Sequence, residues 1–189
     1  MRNIILDRDG VINQNPPNFG YVCDWSEFAF LPSSIRAISD LTYADFNIII
    51  ATNQAGIGRG IITQEQLHKI HSNMVSTLRN AGGIIKNIYF CPHHPDAGCE
   101  CRKPKPGMLQ KAIQDHCFDP STTHFIGDSI SDIKAAKNAD IAPVLVLTGH
   151  GLDTYQHYAS SQFECRKYLP DKIFTNLFSA SQWLIQEYV

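Results

Sequence analysis

The sequence predicts an α/β fold built on a parallel sheet, and three observations carry that prediction. Short apolar runs alternate with segments in which apolar residues recur every three or four positions, as strands alternate with amphipathic helices. The chain has 189 residues, of which 43% are apolar and 18% charged, and this suits one domain with a sizeable core. Polar residues directly follow the predicted strands, where open parallel sheets place their ligand sites.

Five short apolar runs predict the strands, and the segments between and after them predict the helices. The strands cover residues 3–6, 47–51, 84–90, 123–126 and 143–147. The first helix is capped by Ser33 or Ser34, and the second begins with the Thr63 and Gln66 capping-box pair and stops at Gly82. Three further helices are predicted over 108–117, over 131–138 and from 176 onward. Strands that alternate with helices form βαβ units, so we expect a Rossmann-like parallel sheet with helices on both faces.

The intervals between these elements predict a single domain over residues 1–189 without a large cap domain. The interval 10–48 holds one helix, and the interval 56–126 is filled by helices, strands and a loop rich in cysteine, histidine and proline. Residues 148–170 are polar and aperiodic, so we expect a surface excursion there. An active site without a cap is open, and short loops would then select the substrate.

Charge and hydropathy argue against several classes of protein. A net charge of −2 supplies no basic field that would attract nucleic acid. The longest purely apolar stretches fall far short of the roughly 20 residues that a membrane span needs. The first apolar run is also shorter than the roughly 7–15 residues of a secretory signal. We therefore expect a cytoplasmic protein that binds neither nucleic acid nor membrane. We also expect a monomer, although charge and hydropathy do not bear on that.

Two carboxylates, Asp7 and Asp9, follow the first predicted strand at a spacing of two residues. Such a pair at a strand end suits phosphoryl transfer, in which one carboxylate is the nucleophile and the other moves the proton. A solvated turn that uses the conformational freedom of Gly10 is the alternative interpretation. The polar residues at the other strand ends favour the catalytic interpretation.

Two further segments offer groups that suit a phosphate. Thr52, Asn53 and Gln54 end the second strand, and their hydroxyl and amide groups could hold phosphate oxygens, although an ordinary polar turn has the same composition. Arg102 and Lys103 supply cations that could neutralise a phosphoryl group, or they could form a solvated basic patch.

Asp128 directly follows the fourth strand and its short Gly turn, and Asp132 comes four residues later. Carboxylates suit Mg²⁺, a hard cation that prefers oxygen ligands. Asp128 could instead be a helix N-cap, and Asp132 could be an ordinary charge on a helix surface.

A cluster of cysteine and histidine residues predicts a structural zinc site. Its members are Cys91, Cys99 and Cys101, with His93 or His94 as the imidazole. A cytosolic chain keeps its thiols reduced, so a tight cluster favours a metal over a disulfide, and three thiolates with one imidazole satisfy four-coordinate zinc. A merely reactive cysteine loop is the alternative. Because Lys103 lies at most about 7 Å of chain from Cys101, a metal there would fix where Arg102 and Lys103 point.

Together these motifs resemble those of haloacid-dehalogenase-like (HAD) phosphatases. The resemblance spans about residues 3–149 and rests on an ordered set, namely Asp7, Asp9, Gly10 and Val11, then Thr52 and Asn53, then Lys103 and Pro104, then Gly127, Asp128 and Asp132. It implies that Asp7 attacks phosphorus and that Asp9 acts as general acid and then base. Thr52 would bind the phosphoryl group, and Lys103 would offset its charge. Asp7, the Asp9 backbone carbonyl and Asp128 would hold Mg²⁺.

The cysteine loop is similar to that of one branch, the heptose-bisphosphate phosphatases. The similarity includes the runs 20–22, 52–57, 91–95 and 99–108, and it implies His93 rather than His94 as the fourth zinc ligand. Candidate substrate contacts are Asn18, Gly20, Tyr21, Asn53, Gln54 and Arg102. The implied reaction is removal of the 7-phosphate of a heptose 1,7-bisphosphate, in the synthesis of nucleotide-activated heptose for lipopolysaccharide, with a small sugar phosphate as the partner molecule.

Two other functions remain open at this point. Histidinol-phosphate phosphatases share the zinc loop and the HAD motifs, but their substrate has no second phosphate for the planar guanidinium of Arg102 to bind. A catalytically silent, zinc-stabilised binding module is the other alternative. It has no use for the pair Asp7 and Asp9, which this sequence contains.

Overall fold

The protein, described by a computed structural model over residues 2–16, 20–160 and 166–187, contains one six-stranded sheet. Its strands are β1 (Arg2–Leu6), β2 (Phe46–Asn53), β3 (Ile85–Cys91), β4 (Thr123–Gly127), β5 (Ala142–Val146) and β6 (Lys172–Phe174). Their order is β3-β2-β1-β4-β5-β6, and every neighbouring pair is parallel. The predicted parallel α/β sheet is confirmed. β6 is an additional edge strand, which was not predicted because three residues are too few to form a recognisable apolar run.

Six helices accompany the sheet in the described residues. They are α1 (Ser34–Tyr43), α2 (Gln64–Asn80), α3 (Gly107–His116), α4 (Ile130–Asn138), α5 (Gly151–Ser160) and α6 (Leu177–Glu187). The capping box of α2 forms as predicted, since the Thr63 hydroxyl accepts from the Gln66 N–H at 3.1 Å and the Gln66 side chain accepts from the Thr63 N–H at 2.8 Å. Ser33 occupies the N-cap of α1, but at a φ of 64° its side chain makes no capping hydrogen bond.

Helices pack on both faces of the sheet, as expected, because alternate residues of each buried strand point to opposite faces. Ile4 and Leu6 of β1 belong to a core that includes residues of α1, α2 and α6. Ile5, which lies between them in sequence, belongs to a second core that includes residues of α3 and α4. The near-continuous apolar strands therefore reflect a sheet buried on both sides.

The expectation of an aperiodic surface excursion over residues 148–170 is wrong for part of that interval. Residues Gly151–Ser160 form α5, and its inward face carries Gly151, Thr154 and Tyr158. Two of these three residues are small or polar, so the helical periodicity was invisible to hydropathy. Within the described residues, no helix is both long and apolar enough to cross a bilayer.

Candidate active site

A cavity of about 280 Å³ opens at the carboxyl ends of the central strands β1, β2 and β4. The sheet thus brings together residues that are far apart in sequence, as its parallel arrangement predicts. The predicted site residues that line the cavity are Asp7, Asp9, Gly20, Tyr21, Thr52, Asn53, Gln54, Arg102, Lys103 and Asp128. Asn18 was also predicted to contact substrate, and it lies outside the described residues.

Lys103 is the buried cation at the centre of the site. Its ammonium donates to the Ala51 carbonyl at 3.0 Å and pairs with Asp7 Oδ1 at 2.9 Å and with Asp132 Oδ1 at 2.6 Å. Burial disfavours the charged ammonium, but attraction to Asp132 and Asp7 outweighs it and raises the pKa of Lys103 above its usual range. Lys103 therefore remains charged, because two carboxylates and one backbone carbonyl surround its ammonium.

Three carboxylates crowd around this single cation. Oxygens of Asp7, Asp128 and Asp132 all lie within 4.8 Å of one another, and all three residues are buried. Burial raises the pKa of Asp7 to about 7, against the opposing attraction of Lys103, and Asp132 and Asp9 raise it further. Burial and the neighbouring Asp132 and Asp7 likewise raise the pKa of Asp128 well above its usual range. The cluster carries more negative charge than Lys103 alone can balance.

Asp9 faces a different set of partners. Its Oδ1 accepts from Arg8 Nη2 at 2.9 Å and from Asn13 Nδ2 at 2.9 Å, and its Oδ2 accepts from Gln54 Nε2 at 2.9 Å. Burial works against ionisation, but the attraction of Arg8 and the hydrogen bonds from Asn13, Arg8 and Gln54 hold the pKa of Asp9 below its usual value. The pKa of Asp7 is thus raised and the pKa of Asp9 is lowered, although the two residues are only two positions apart.

The residues at the end of β2 contact both the Asp9 carboxylate and the segment that carries Lys103. Gln54 Nε2 donates to Thr52 Oγ1 at 3.0 Å as well as to Asp9. The Asn53 side chain makes a reciprocal pair with the Lys103 backbone, in which Nδ2 donates to the carbonyl and Oδ1 accepts from the N–H, both at 3.1 Å. Asn53 lines the cavity, and its amide fixes the segment that carries Lys103.

The predicted metal ligands of the cysteine loop come together. Cys91 ends β3, and its sulfur lies 3.3 Å from Cys101 Sγ, 3.6 Å from Cys99 Sγ and 3.6 Å from His93 Nδ1. Bonds of about 2.0–2.3 Å to a tetrahedral centre place its ligand atoms about 3.6–3.8 Å apart. The observed spacings are close to these values, so the cluster could hold a metal ion. His94 is directed elsewhere, since its Nδ1 accepts from the Asp96 N–H at 3.2 Å.

Comparison with known proteins identifies the family. The HAD-hydrolase-like family model matches residues 100–177. A D-glycero-beta-D-manno-heptose-1,7-bisphosphate 7-phosphatase of Bordetella bronchiseptica is 44% identical over 154 residues, which cover 82% of this chain and 85% of the relative. The chain belongs to this 7-phosphatase family. A 7-phosphatase of Neisseria meningitidis is 40% identical over 189 residues, covering 99% of this chain and 96% of the relative. The chain is therefore a phosphoric monoester hydrolase of the HAD type.

Solved structures of the 7-phosphatase family have the same fold. A D,D-heptose 1,7-bisphosphate phosphatase from B. bronchiseptica, complexed with magnesium and phosphate, has a TM-score of 0.89 and 39% identity, with 99% of each chain covered. A second, from Burkholderia thailandensis, has a TM-score of 0.70 and 29% identity, with 98% of this chain and 99% of that chain covered. These matches confirm the predicted HAD-like fold.

The carboxylate cluster fits a divalent cation. Lys103 pairs with both Asp7 and Asp132, and Asp132 also accepts from Ser129 Oγ at 2.6 Å. One lysine thus faces three carboxylates, and Asp128 forms no ion pair among the described residues. Any Cβ added at Gly10 would collide with the Asp128 carboxylate, which shows how closely the β1 loop approaches that carboxylate. Oxygen ligands in such a confined, charged setting are the donor set that Mg²⁺ prefers.

Two alternatives considered for the acidic residues near α4 are wrong. Asp128 is not the N-cap of α4, because Ser129 holds that position and forms a capping box with Asp132. Asp132 is not a surface charge either, since it is 0% exposed and pairs with Lys103. The burial of Asp132 could not be predicted, because a single sequence does not show which distant cation will neutralise a buried carboxylate.

The residues that sequence reasoning missed include Arg8, which lines the cavity, and His71, which contacts Arg8 from α2. Arg8 is only 1% exposed and binds Asp9 with two nitrogens. His71 lies on α2 within hydrogen-bonding distance of Arg8. A signal for His71 existed, because it falls on the same helical face as Leu67 and Met74, whose apolar spacing predicted α2. For Arg8 the only signal was its place between two strand-end carboxylates.

Proposed function

We propose that this chain removes the 7-phosphate of D-glycero-D-manno-heptose 1,7-bisphosphate and leaves the 1-phosphate for nucleotide activation. The observation that carries the proposal is the convergence of Asp7, Thr52, Lys103 and Asp128 in one cavity, in a chain of the 7-phosphatase family. Every residue that the proposal uses comes from one chain, so a monomer is sufficient. The reduced thiols of the cysteine cluster fit a cytoplasmic enzyme.

In the first half of the reaction, an oxygen of Asp7 attacks the 7-phosphorus and the bond from phosphorus to the sugar oxygen breaks. Asp9 must first take up a proton, because Arg8, Asn13 and Gln54 favour its ionised form, and it gives that proton to the departing oxygen. Lys103 and Thr52 hold the phosphoryl oxygens, so charge that develops on them meets a fixed cation and a hydroxyl. The products of this half are the sugar 1-phosphate and an aspartyl-phosphate on Asp7.

In the second half, a water molecule attacks the phosphorus of the aspartyl-phosphate and gives its proton to Asp9. The bond between Asp7 and phosphorus breaks, and inorganic phosphate leaves. The network around Asp9 suits this base role, because Arg8, Asn13 and Gln54 stabilise its ionised form. Both catalytic carboxyl groups end in the states in which they began.

Two metal ions complete the proposal. Asp7, Asp128 and the Asp9 backbone carbonyl would hold Mg²⁺, which supplies positive charge to the phosphoryl oxygens when it is bound. Cys91, His93, Cys99 and Cys101 would hold Zn²⁺ in a closed site with a structural role. Buried like charges on Asp7 and Asp128 support the first site, and the tetrahedral spacing of the sulfur and nitrogen atoms supports the second.

Arg102 fits the 1-phosphate of this substrate. It lines the same cavity as Asp7, and its Nη1 is buried without a hydrogen-bond partner among the described residues. A buried donor that lacks an acceptor is costly, and an anionic ligand would remove that cost. The planar guanidinium matches two phosphate oxygens at once.

We expect the Mg²⁺-supplied protein to release phosphate from heptose 1,7-bisphosphate with a higher kcat/KM than from histidinol phosphate. An Arg102→Ala change should raise the KM for the bisphosphate about tenfold, since a charge-assisted hydrogen bond contributes about 1.5–3 kcal/mol. Arg79→Ala, on the exposed end of α2, is the control. Faster turnover of histidinol phosphate would transfer the assignment to the alternative substrate.

Removal of the cysteine-bound metal should lower activity while the sheet stays folded. A Cys99→Ser, Cys101→Ser double variant loses two of four ligands, so the segment that carries Arg102 and Lys103 loses its anchor. We expect one zinc per chain in the parent protein, none in the variant, and at least about a tenfold loss of kcat/KM, as misplacement of positioning groups causes. Cys117→Ser, an exposed cysteine outside the cluster, should change neither quantity. Unchanged turnover in the double variant would contradict the anchoring role.

A further inference from the structure

A buried chain of contacts links Asp9 to a histidine that no step of the reaction uses. Arg8 Nη2 donates to both oxygens of Asp9, at 2.9 and 3.0 Å, and Arg8 Nε donates to Oδ1 at 3.2 Å. At the other end of the same guanidinium, Nη1 lies 3.1 Å from His71 Nε2. The Phe28 ring lies 6.0 Å from the guanidinium carbon. Arg8 is therefore fixed at both ends of its planar group.

The direction of the contact between Arg8 and His71 follows from chemistry alone. A guanidinium can only donate hydrogen bonds, so His71 Nε2 accepts, and the proton of the neutral imidazole is on Nδ1. Burial and the neighbouring Arg8 charge lower the pKa of His71 to about 3. His71 is therefore a neutral acceptor at the pH at which the enzyme works.

We propose that His71 is a positioning residue for proton transfer by Asp9, acting through Arg8. The inference rests on the proposed role of Asp9 as general acid and base. His71 is 6% exposed and Arg8 1% exposed, and the imidazole is the acceptor that the described residues provide for Nη1. Without His71, the guanidinium would turn toward another acceptor and the carboxylate of Asp9 would turn with it.

The remaining partners of Asp9 explain why a small rotation matters. Asn13 Nδ2 and Gln54 Nε2 hold the two oxygens from other directions, and Gln54 also donates to Thr52, which is proposed to bind the phosphoryl group. A turn of the Asp9 carboxylate would break this alignment with the departing oxygen. A misplaced proton donor weakens general acid catalysis, a contribution of about 10²–10⁴-fold in enzymes.

The test compares two substrates that differ in their need for a proton donor. The alcohol oxygen of a sugar phosphate must be protonated as it leaves, whereas p-nitrophenyl phosphate releases a stable phenolate. Because kcat/KM reports the steps through formation of the aspartyl-phosphate, it isolates the acid role of Asp9. We expect His71→Leu to lower kcat/KM about tenfold for heptose bisphosphate and less than about twofold for p-nitrophenyl phosphate, with the thermal unfolding midpoint showing a folded protein.

Conservative replacement and a matched control separate positioning from general damage. His71→Gln offers a carbonyl oxygen to Arg8 and should recover most of the lost activity. His68→Leu makes the same change at an exposed position of α2 and should leave both substrates unaffected. If His71→Leu does not fold, Arg8→Lys serves instead, because a compact ammonium does not span Asp9 and His71, which lie at opposite ends of the guanidinium. The same substrate-selective loss is expected.

Equal losses on both substrates, or no loss on either, would overturn the role of His71. Asp9→Asn is measured in parallel. If Asp9→Asn keeps its activity on the heptose bisphosphate, the proposed reaction is at fault. If Asp9→Asn is severely impaired while His71→Leu matches the parent protein, only the role of His71 fails.

Discussion

Replacing Asp7 by Asn should reduce phosphate release by at least about 10⁴-fold, the scale of loss when an enzyme's nucleophile is removed. The amide has nearly the same shape as the carboxyl group but has no anionic oxygen to attack phosphorus. Uncatalysed hydrolysis of phosphate monoesters is so slow that enzymes supply up to about 10²¹-fold, so other groups cannot substitute. Phosphate release from the heptose bisphosphate, with the aspartyl-phosphate trapped by acid quenching, measures the loss.

The same variant should be folded, and its relative stability should rise with pH. Burial raises the pKa of Asp7 to about 7 from an unfolded value of about 3.9, so the native state binds the extra proton. The parent protein therefore loses stability from this group as the pH rises from about 4 to above 7. Asn cannot bind this proton, so the free energy of unfolding of the variant should rise relative to that of the parent between pH 5 and pH 8. Near-normal turnover of the Asp7→Asn variant would exclude Asp7 as the nucleophile. Asp153→Asn makes the same change at an exposed position of α5 and, as the control, should match the parent protein.

The sheet and the meeting point of its strand ends could be predicted because both follow from short-range patterns. Apolar runs identified β1 to β5, and the rule that ligands bind beyond the carboxyl ends of parallel strands placed Asp7, Thr52 and Asp128 in one cavity. The metal-ligand spacing of Cys91, Cys99 and Cys101 was equally local. Such predictions require no knowledge of which distant residues touch.

The unpredicted features depend on long-range compensation. Arg8 and Asp132 are charged, and sequence patterns place charged residues at the surface, yet both are buried because Asp9 and Lys103 neutralise them. Lys103 and Asp132 lie on different elements, so their pairing exists only after the fold forms. Arg8 and Asp9 are neighbours in sequence, but the burial of Arg8 against His71 of α2 also depends on the fold. α5 was missed for a related reason, since its buried face is made of residues that hydropathy does not mark as core.

Lys103→Met should destabilise the protein by about 3–5 kcal/mol at pH 8, the cost of leaving buried charges without their partner. The side chain is 1% exposed, and Asp7, Asp128 and Asp132 share the surrounding space. Methionine fills the volume of the lysine stem but provides no charge and no donors. Turnover should fall as well, since the phosphoryl oxygens lose their fixed cation. Denaturant unfolding and phosphate release, measured on the same preparation, give the two effects.

The pH dependence distinguishes lost charge from lost packing. Lys103 opposes the rise in the pKa of Asp7, so without Lys103 that pKa moves further upward in the folded protein. The native state then takes up a proton as the pH falls, and the variant should recover stability between pH 8 and pH 5. A packing defect would cost the same at both values. Asp132→Asn added to Lys103→Met should restore part of the loss at pH 8, because it removes one of the stranded carboxylates. Lys137→Met breaks a pair with Asp171 that is 30% and 46% exposed, and its cost should stay below about 1 kcal/mol. A Lys103→Met protein as stable as its parent at pH 8 would mean that the carboxylate cluster does not depend on this lysine for its charge balance.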